Sequence, residues 1–188
     1  MAGVKGNRRI LYTKKVINES LLDLLQSKEI HQVTVTDICK RADINRGTFY
    51  SHYKDAFDLL QTMEDDLFNQ IIEYIKDIPI ENYKDILLLK VLKLIESNKD
   101  LCKILFCKQK DSRILNRILY VARKTDIERI FKSSGDFNNI YLDYSIKYAV
   151  GGTFAIIQSW LEGDLTESPE EIVEIINSIH QFTQKYFY

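Results

Sequence analysis

The sequence predicts an all-α chain with a small helical head, residues 1–68, and a larger helical body, residues 69–188. Three observations carry this. Apolar residues recur at helical spacing in segment after segment, no run alternates apolar and polar positions as a half-buried strand does, and only seven Gly and two Pro interrupt 188 residues. About nine helices are accommodated. A chain of this length with 45% hydrophobic content can bury a substantial core.

Met1 to Gly6 is small, Gly-containing and basic at its end, and is expected to be a flexible arm, with simple disorder favoured over a minor-groove contact. The first helix is predicted from Asn7 to Ser27, with Ile17, Leu21, Leu24 and Leu25 as its inward stripe. It would brace the most informative stretch of the chain, TVTDICKRADINRGTFYSHYK, Thr34 to Lys54. Thr34 followed three residues later by Asp37 has capping-box spacing, so a second helix starts there. Val35, Ile38 and Ala42 would face inward while Lys40 and Arg41 face solvent. Asp43 is a turn residue that tolerates left-handed backbone, and Asn45 is a second polar helix starter. Phe49 would pack back with Ile44 and Tyr53, leaving Arg46, Gly47, Thr48, Tyr50, Ser51 and His52 facing out. That face holds donors and acceptors and no aliphatic residue. Two short helices around a tight turn, the second polar on its outer face, form the pattern of a DNA-reading helix-turn-helix.

Charge supports this reading. Residues 1–54 hold ten Lys or Arg against five Asp or Glu, whereas residues 55–188 hold sixteen against twenty-two, so the net charge of −1 conceals a basic head on an acidic body. A basic head can release counterions from phosphates, and an acidic body discourages nonspecific coating of a duplex.

From Arg9 to about Phe68 the chain resembles the DNA-binding domain of the tetracycline-repressor (TetR) family. The resemblance rests on Ile17, Ser20, Leu24 and Leu25, then Val33 and Thr34, then Ile38, Ala42, Ile44, Arg46, Gly47, Thr48, Phe49, Tyr50, His52, Tyr53 and Leu59. Arg46, Gly47, Thr48, Tyr50, Ser51 and His52 are then expected on the DNA-binding face, with Arg46, Thr48, Tyr50 and His52 making base or near-base contacts and Thr34, Thr36, Tyr53 and Lys54 mainly holding phosphates. Two positions depart from the family pattern: Asp43 replaces a turn Gly, and Ala56 replaces a phosphate-contacting Lys, for which Lys54 is the available substitute.

Beyond the head, a helix from Asp55 to about Asp77 is predicted with Phe57, Leu60, Leu67, Ile71 and Ile75 on one side, ending before Pro79. It belongs to head and body alike, so its tilt would move the reading helix. A helix from about Glu81 to Ser97 is apolar on nearly every face, as a central bundle helix is. A shorter piece from Asp100 to about Gln109 and a helix from Ser112 to about Lys132 follow. SSGDFNN then breaks the chain at Ser133 to Asn139. Two strong helices remain, Ile140 to Glu162 and Pro169 to Tyr186, the latter announced by Ser168 with Glu170 and Glu171 in its first turn.

The last two helices carry the expected homodimer contact. Ile172, Ile175, Ile176, Ile179, Phe182 and Tyr186 read as one continuous face. Gly151 and Gly152 sit mid-helix at a cost of about 1 kcal/mol each, which suggests close helix approach. The resemblance implies a four-helix bundle across a twofold axis, and symmetric reading of a palindromic operator needs a dimer. A small-molecule effector pocket is likewise implied by the resemblance. Candidate lining residues are Tyr74, Phe106, Tyr120, Tyr148 and Trp160, with Asn116 and Arg117 as polar contacts; ordinary core packing is the competing account of the aromatics.

Catalytic and metal-binding patterns are lacking in the sequence. Glu64, Asp65 and Asp66 form the densest carboxylate run and read as a solvated helix face. His31, His52 and His180 are scattered, and no nucleophile, phosphate-loop or dinucleotide motif occurs, so neither an enzyme nor a cofactor is expected. Cys39, Cys102 and Cys107 have neither disulfide nor metal spacing and read as small buried apolar residues of a protein in a reducing cytoplasm. No apolar run approaches the ~20 residues of a membrane span.

Overall fold

The computed structural model describes residues 2–77, 83–108, 116–120 and 139–187, and among them every regular element is helical. The chain divides into two compact units, Met1–Gln70 and Ile71–Tyr188, with the division falling inside one helix.

In the first unit α1 spans Ala2–Leu25, so the stretch expected to be a flexible arm is helical. Two Gly weaken a helix, but no residue between positions 2 and 6 removes a backbone donor as Pro would. Ile17, Leu21 and Leu25 are buried, and Ser20 is buried with them because its hydroxyl donates back to the Val16 carbonyl at 2.7 Å. A 3₁₀ turn, Ile30–Gln32, leads to α2, Val35–Ala42, which packs on α1 through buried Ile38 and Cys39. Asp23 accepts from Arg41 at 2.7 Å and Asp37 from Lys28 at 3.2 Å, fixing α2 against the end of α1. α3, Arg46–Tyr50, follows a three-residue turn and packs on α2. α4, Ala56–Asp77, opens on reciprocal aspartates: Asp55 accepts from the Asp58 amide at 2.8 Å, and Asp58 from the Lys54 amide at 2.9 Å.

The buried side of α4 differs from the expected one. Ala56, Leu59, Leu60, Met63, Leu67 and Phe68 are buried, whereas Phe57 is 55% exposed. The stripe is centred on Ala56, Leu60, Met63 and Leu67, and position 57 lies about 100° round from 56. Glu64 is also buried, at 2% exposure, which corrects its reading as part of a solvated face; Asp66 remains exposed and Asp65 accepts from Gln61.

In the second unit α5 is Tyr83–Ser97 and α6 Lys99–Lys103, which runs into a π-helical turn, Ile104–Lys108. Leu92, Leu94 and Ile95 of α5 are buried but Ile86 is 40% exposed, so the helix is covered on one side rather than all round. The π turn is held to α7, Asn139–Glu162, by Gln158, whose side-chain amide donates to the Phe106 carbonyl, and by the Phe106–Phe154 ring pair at 5.5 Å. Cys102 is fully buried, and burial with Cys107 nearby pushes its thiol up to about 12, so it stays protonated and inert. α8, Pro169–Phe187, packs on α5 and α7. Its start is doubly capped: Ser168 Oγ accepts from the Glu171 amide while Glu171 accepts from the Ser168 amide at 2.7 Å. The helix expected over Ser112–Lys132 is described only at 116–120, which is helical; the remainder lies outside the described residues, as do Pro79 and the 133–138 break.

Candidate nucleic-acid interface

The turn between α2 and α3 is built by local side-chain chemistry. Thr34 Oγ1 accepts from the Asp37 amide at 3.1 Å and Asp37 accepts from the Thr34 amide at 3.2 Å, closing the capping box. That backbone bond, with Lys28 beside it, holds the Asp37 carboxyl below the usual carboxylate range. Asp43 ends α2 in left-handed backbone, φ 51° and ψ 49°, and the Ile44 amide donates to the Cys39 carbonyl at 3.0 Å. Asp there tolerates what a branched residue would not. Asn45 caps α3, its Oδ1 accepting from the Thr48 amide at 2.7 Å and the Thr48 hydroxyl at 3.1 Å.

On this frame the inward residues are Phe49, fully buried, and Tyr53, whose rings lie 5.8 Å apart. Tyr53 was expected to face phosphate; the structure instead places it in the scaffold at 5% exposure, with its hydroxyl donating to Asn18 of α1 at 3.5 Å. Burial accordingly raises its phenol. Facing outward are Arg46, Gly47, Tyr50 and Ser51, with Thr34, Thr36 and Lys54 exposed beside them; Thr48 and His52 are half-buried. Tyr50 is 57% exposed and stands edge-on to Phe49. Arg46 Nη2 donates to Thr36 Oγ1 at 2.7 Å, a bridge between α2 and α3 that the sequence spacing did not announce. A side chain at position 47 would press on Asn45 Oδ1 at 3.2 Å, within the cap itself. Ala56, where a phosphate-contacting Lys was looked for, is buried at 3%. Phe57 was missed as a surface residue; Asp55 and Asp58, as the caps of α4, were the signal that fixes its register.

The description "Bacterial regulatory proteins, tetR family" matches residues 19–63, and "Transcriptional regulator C-terminal region", of the same family, matches residues 81–181, more than half of the chain. The chain belongs to the TetR family. It is thus an all-α transcriptional regulator with a DNA-binding helix-turn-helix. The chain is 34% identical over 70 residues to the HTH-type transcriptional regulator YxbF of Bacillus subtilis, covering 37% of this chain and 18% of that protein. It is also 34% identical over 65 residues to DhaS of Lactococcus lactis, the dhaKLM operon transcriptional activator, covering 35% of each. These alignments therefore span well under two thirds of the relatives' own length. Over the whole fold the chain is similar to a solved structure of the dihydroxyacetone kinase operon activator DhaS (TM-score 0.62, 23% identity, 89% of this chain and 93% of that one). A TetR regulator from Streptococcus agalactiae has TM-score 0.64 and 25% identity over 95% and 98% of the two chains.

In the TetR body the structure separates residues that the sequence grouped. Of the pocket candidates, Phe106 and Trp160 are buried, and Trp160 Nε1 donates to the Glu167 carbonyl at 2.8 Å. Tyr74 is half-buried with Lys90 Nζ 5.5 Å from its ring centre. Tyr120 and Tyr148 are 57% and 61% exposed, Asn116 is exposed and Arg117 half-buried, so these do not join Phe106 and Trp160 in the core. Helical register explains Tyr148: it shares an exposed face of α7 with Ile140 and Tyr144. The expected single face of α8 also divides. Ile172 and Ile176 are buried within the chain, whereas Ile175, Ile179 and Phe182 are 42%, 43% and 59% exposed. No described atom outside its own helix backbone lies within 4 Å of a Cβ built at Gly151 or Gly152, so the expected close helix approach is not made there among the described residues. The side chain of Tyr186 lies outside the described part. Among the described residues no group of His, Cys, Asp or Glu fits a metal, and no helix is long and apolar enough to cross a membrane.

Proposed function

We propose that this TetR regulator acts in the cytoplasm as a homodimer on a palindromic operator, represses there, and is released by a small molecule bound in its body, without catalysis. The observation that carries the reading is the outer face of α3, where Arg46, Gly47, Tyr50 and Ser51 are exposed on a rigid, doubly capped frame. Arg46, Thr48, Tyr50 and His52 read bases, with Gly47 and Ser51 allowing close approach; Thr34, Thr36 and Lys54 hold phosphates. Lys54 takes over from the buried Ala56. The dimer forms through Ile175, Ile179 and Phe182 of α8 with the Ile140, Tyr144, Tyr148 and Gly152 face of α7, apolar surface that a lone chain leaves exposed.

Release requires an effector that prefers the non-binding form. A 100-fold loss of operator affinity corresponds to about 2.7 kcal/mol of differential binding, an ordinary coupling, and operator must weaken the effector equally. A second reading, activation in place of repression, is favoured by the name of DhaS, a transcriptional activator. An exposed body face occupied by a different protein would accompany it.

Titration of a selected duplex across salt tests the head. Lys54→Ala should weaken binding to every sequence and lower the salt slope by about one phosphate's share, while Arg46→Ala should cost about 1 to 3 kcal/mol at selected base pairs. A slope unchanged by Lys54→Ala removes Lys54 from the phosphate contacts, and equal losses on all sequences for Arg46→Ala remove Arg46 from base reading.

A further inference from the structure

The positive charge of the head is densest ahead of the helix-turn-helix, which itself holds four Lys or Arg against two Asp over residues 34–54. Residues 1–15 hold five Lys or Arg and no acid, whereas residues 16–54, which include the entire helix-turn-helix, hold five of each sign. Within residues 16–54, Lys28 is paired with Asp37 and Arg41 with Asp23, and Arg46 is drawn to Thr36, while Lys40 and Lys54 are exposed. Four more exposed cations, Arg8, Arg9, Lys14 and Lys15, lie on the first half of α1, and among the described residues Lys15 alone of these has a carboxylate, Glu19, at 3.7 Å.

We infer that this stretch of α1 is a second DNA-binding surface, one that grips phosphates flanking the bases read by α3 and supplies most of the salt-dependent affinity. The inference rests on the DNA-binding reading above. Geometry places it suitably. Asp23 of α1 pairs with the end of α2, and Asn18 accepts from Tyr53 just past α3, so the chain read backwards from position 18 continues beyond the end of the reading helix. At about 1.5 Å per residue, positions 8 to 15 lie roughly 5–15 Å further along the α1 axis. That is the distance scale of the next phosphates beyond a groove about 12 Å wide.

An anionic membrane surface is the other partner suited to a basic helix, and here Ile10, Leu11 and Tyr12 are exposed among the cations. A helix that lies in a lipid interface keeps its apolar and charged residues on opposite faces. On α1 they share faces: Arg8, Leu11, Tyr12 and Lys15 fall at helical repeats of one another, as do Ile10 and Lys14. With no separate apolar face to insert, the observations favour DNA.

The test compares the full chain with a variant carrying Arg8→Gln, Arg9→Gln, Lys14→Gln and Lys15→Gln, all at exposed positions, and with the charge-conserving pair Arg8→Lys and Arg9→Lys. Affinity for a random-sequence duplex and for a selected duplex is measured across salt, and partitioning onto vesicles of equimolar phosphatidylserine and phosphatidylcholine is measured alongside. The Gln variant should lose about three units of salt slope per bound subunit on both duplexes while its preference between them stays the same, and the Lys pair should keep the original slope. A Gln-variant slope equal to that of the unmodified chain overturns the inference. So does loss of vesicle binding with DNA binding intact, which would make the surface one for lipid. Failure of the unmodified chain to bind any duplex is a different result, since it overturns the DNA-binding reading itself.

Discussion

Asp37 does two jobs at the start of α2: it accepts from the Thr34 amide and it pairs with Lys28. Both favour its charged form, so its folded value is depressed. The sign follows. Its contribution to stability is complete above the unfolded value, about pH 4, and is lost as pH falls through the folded value. Melting temperature should therefore fall more steeply between pH 5 and 3 for the unmodified chain than for Asp37→Asn; parallel curves would show that the capping box contributes nothing through charge. Residues of this kind were legible in the sequence. Thr34, Asp37, Asp43 and Asn45 act on backbone within three residues, so spacing alone reveals them. Glu64 was not legible, because its burial depends on the angle at which α4 lies, and nothing in a run of three acids reports that angle.

At the scale of elements, α8 shows why a face read from periodicity can divide. Ile172, Ile175, Ile176 and Ile179 satisfy helical spacing together, yet the stripe is wider than the surface that covers it. Ile172 and Ile176 turn into the core of the chain, and Ile175, Ile179 and Phe182 remain exposed. Sequence specifies the stripe, and packing decides how it is shared. The π-helical turn at Ile104–Lys108 was equally hidden, since ILFCK is simply apolar and the Gln158 side chain that holds it comes from another helix. The divided face makes a clean prediction. Ile179→Glu with Phe182→Glu changes side chains that a single subunit leaves exposed, so the fold should persist while the dimer is lost. Sedimentation should move from about twice the 22.1 kDa chain mass to that mass, with unchanged helical circular dichroism. An unmodified chain that already sediments as a monomer at micromolar concentration would contradict the interface.

For the whole molecule, charge and fold agree on a division of labour. A head of residues 1–54 with ten basic and five acidic groups precedes a body richer in acid, and the family match extends across both, from 19–63 and from 81–181. The head was legible because helix-turn-helix geometry is set by short-range caps and a left-handed turn residue. The grouping of body aromatics was not, because aromatic residues at helical spacing serve a core and a pocket equally well, as Trp160 and Phe106 illustrate by being buried while Tyr120 and Tyr148 are exposed. The central claim is that two copies of the α3 face read DNA symmetrically. Selection of duplexes from a random library by the purified chain, followed by sequencing, tests it most directly. The account predicts an enriched inverted repeat whose half-site centres are separated by about one helical turn or a multiple of it. Enrichment of a single unrepeated half-site, or of no motif at all, would contradict it.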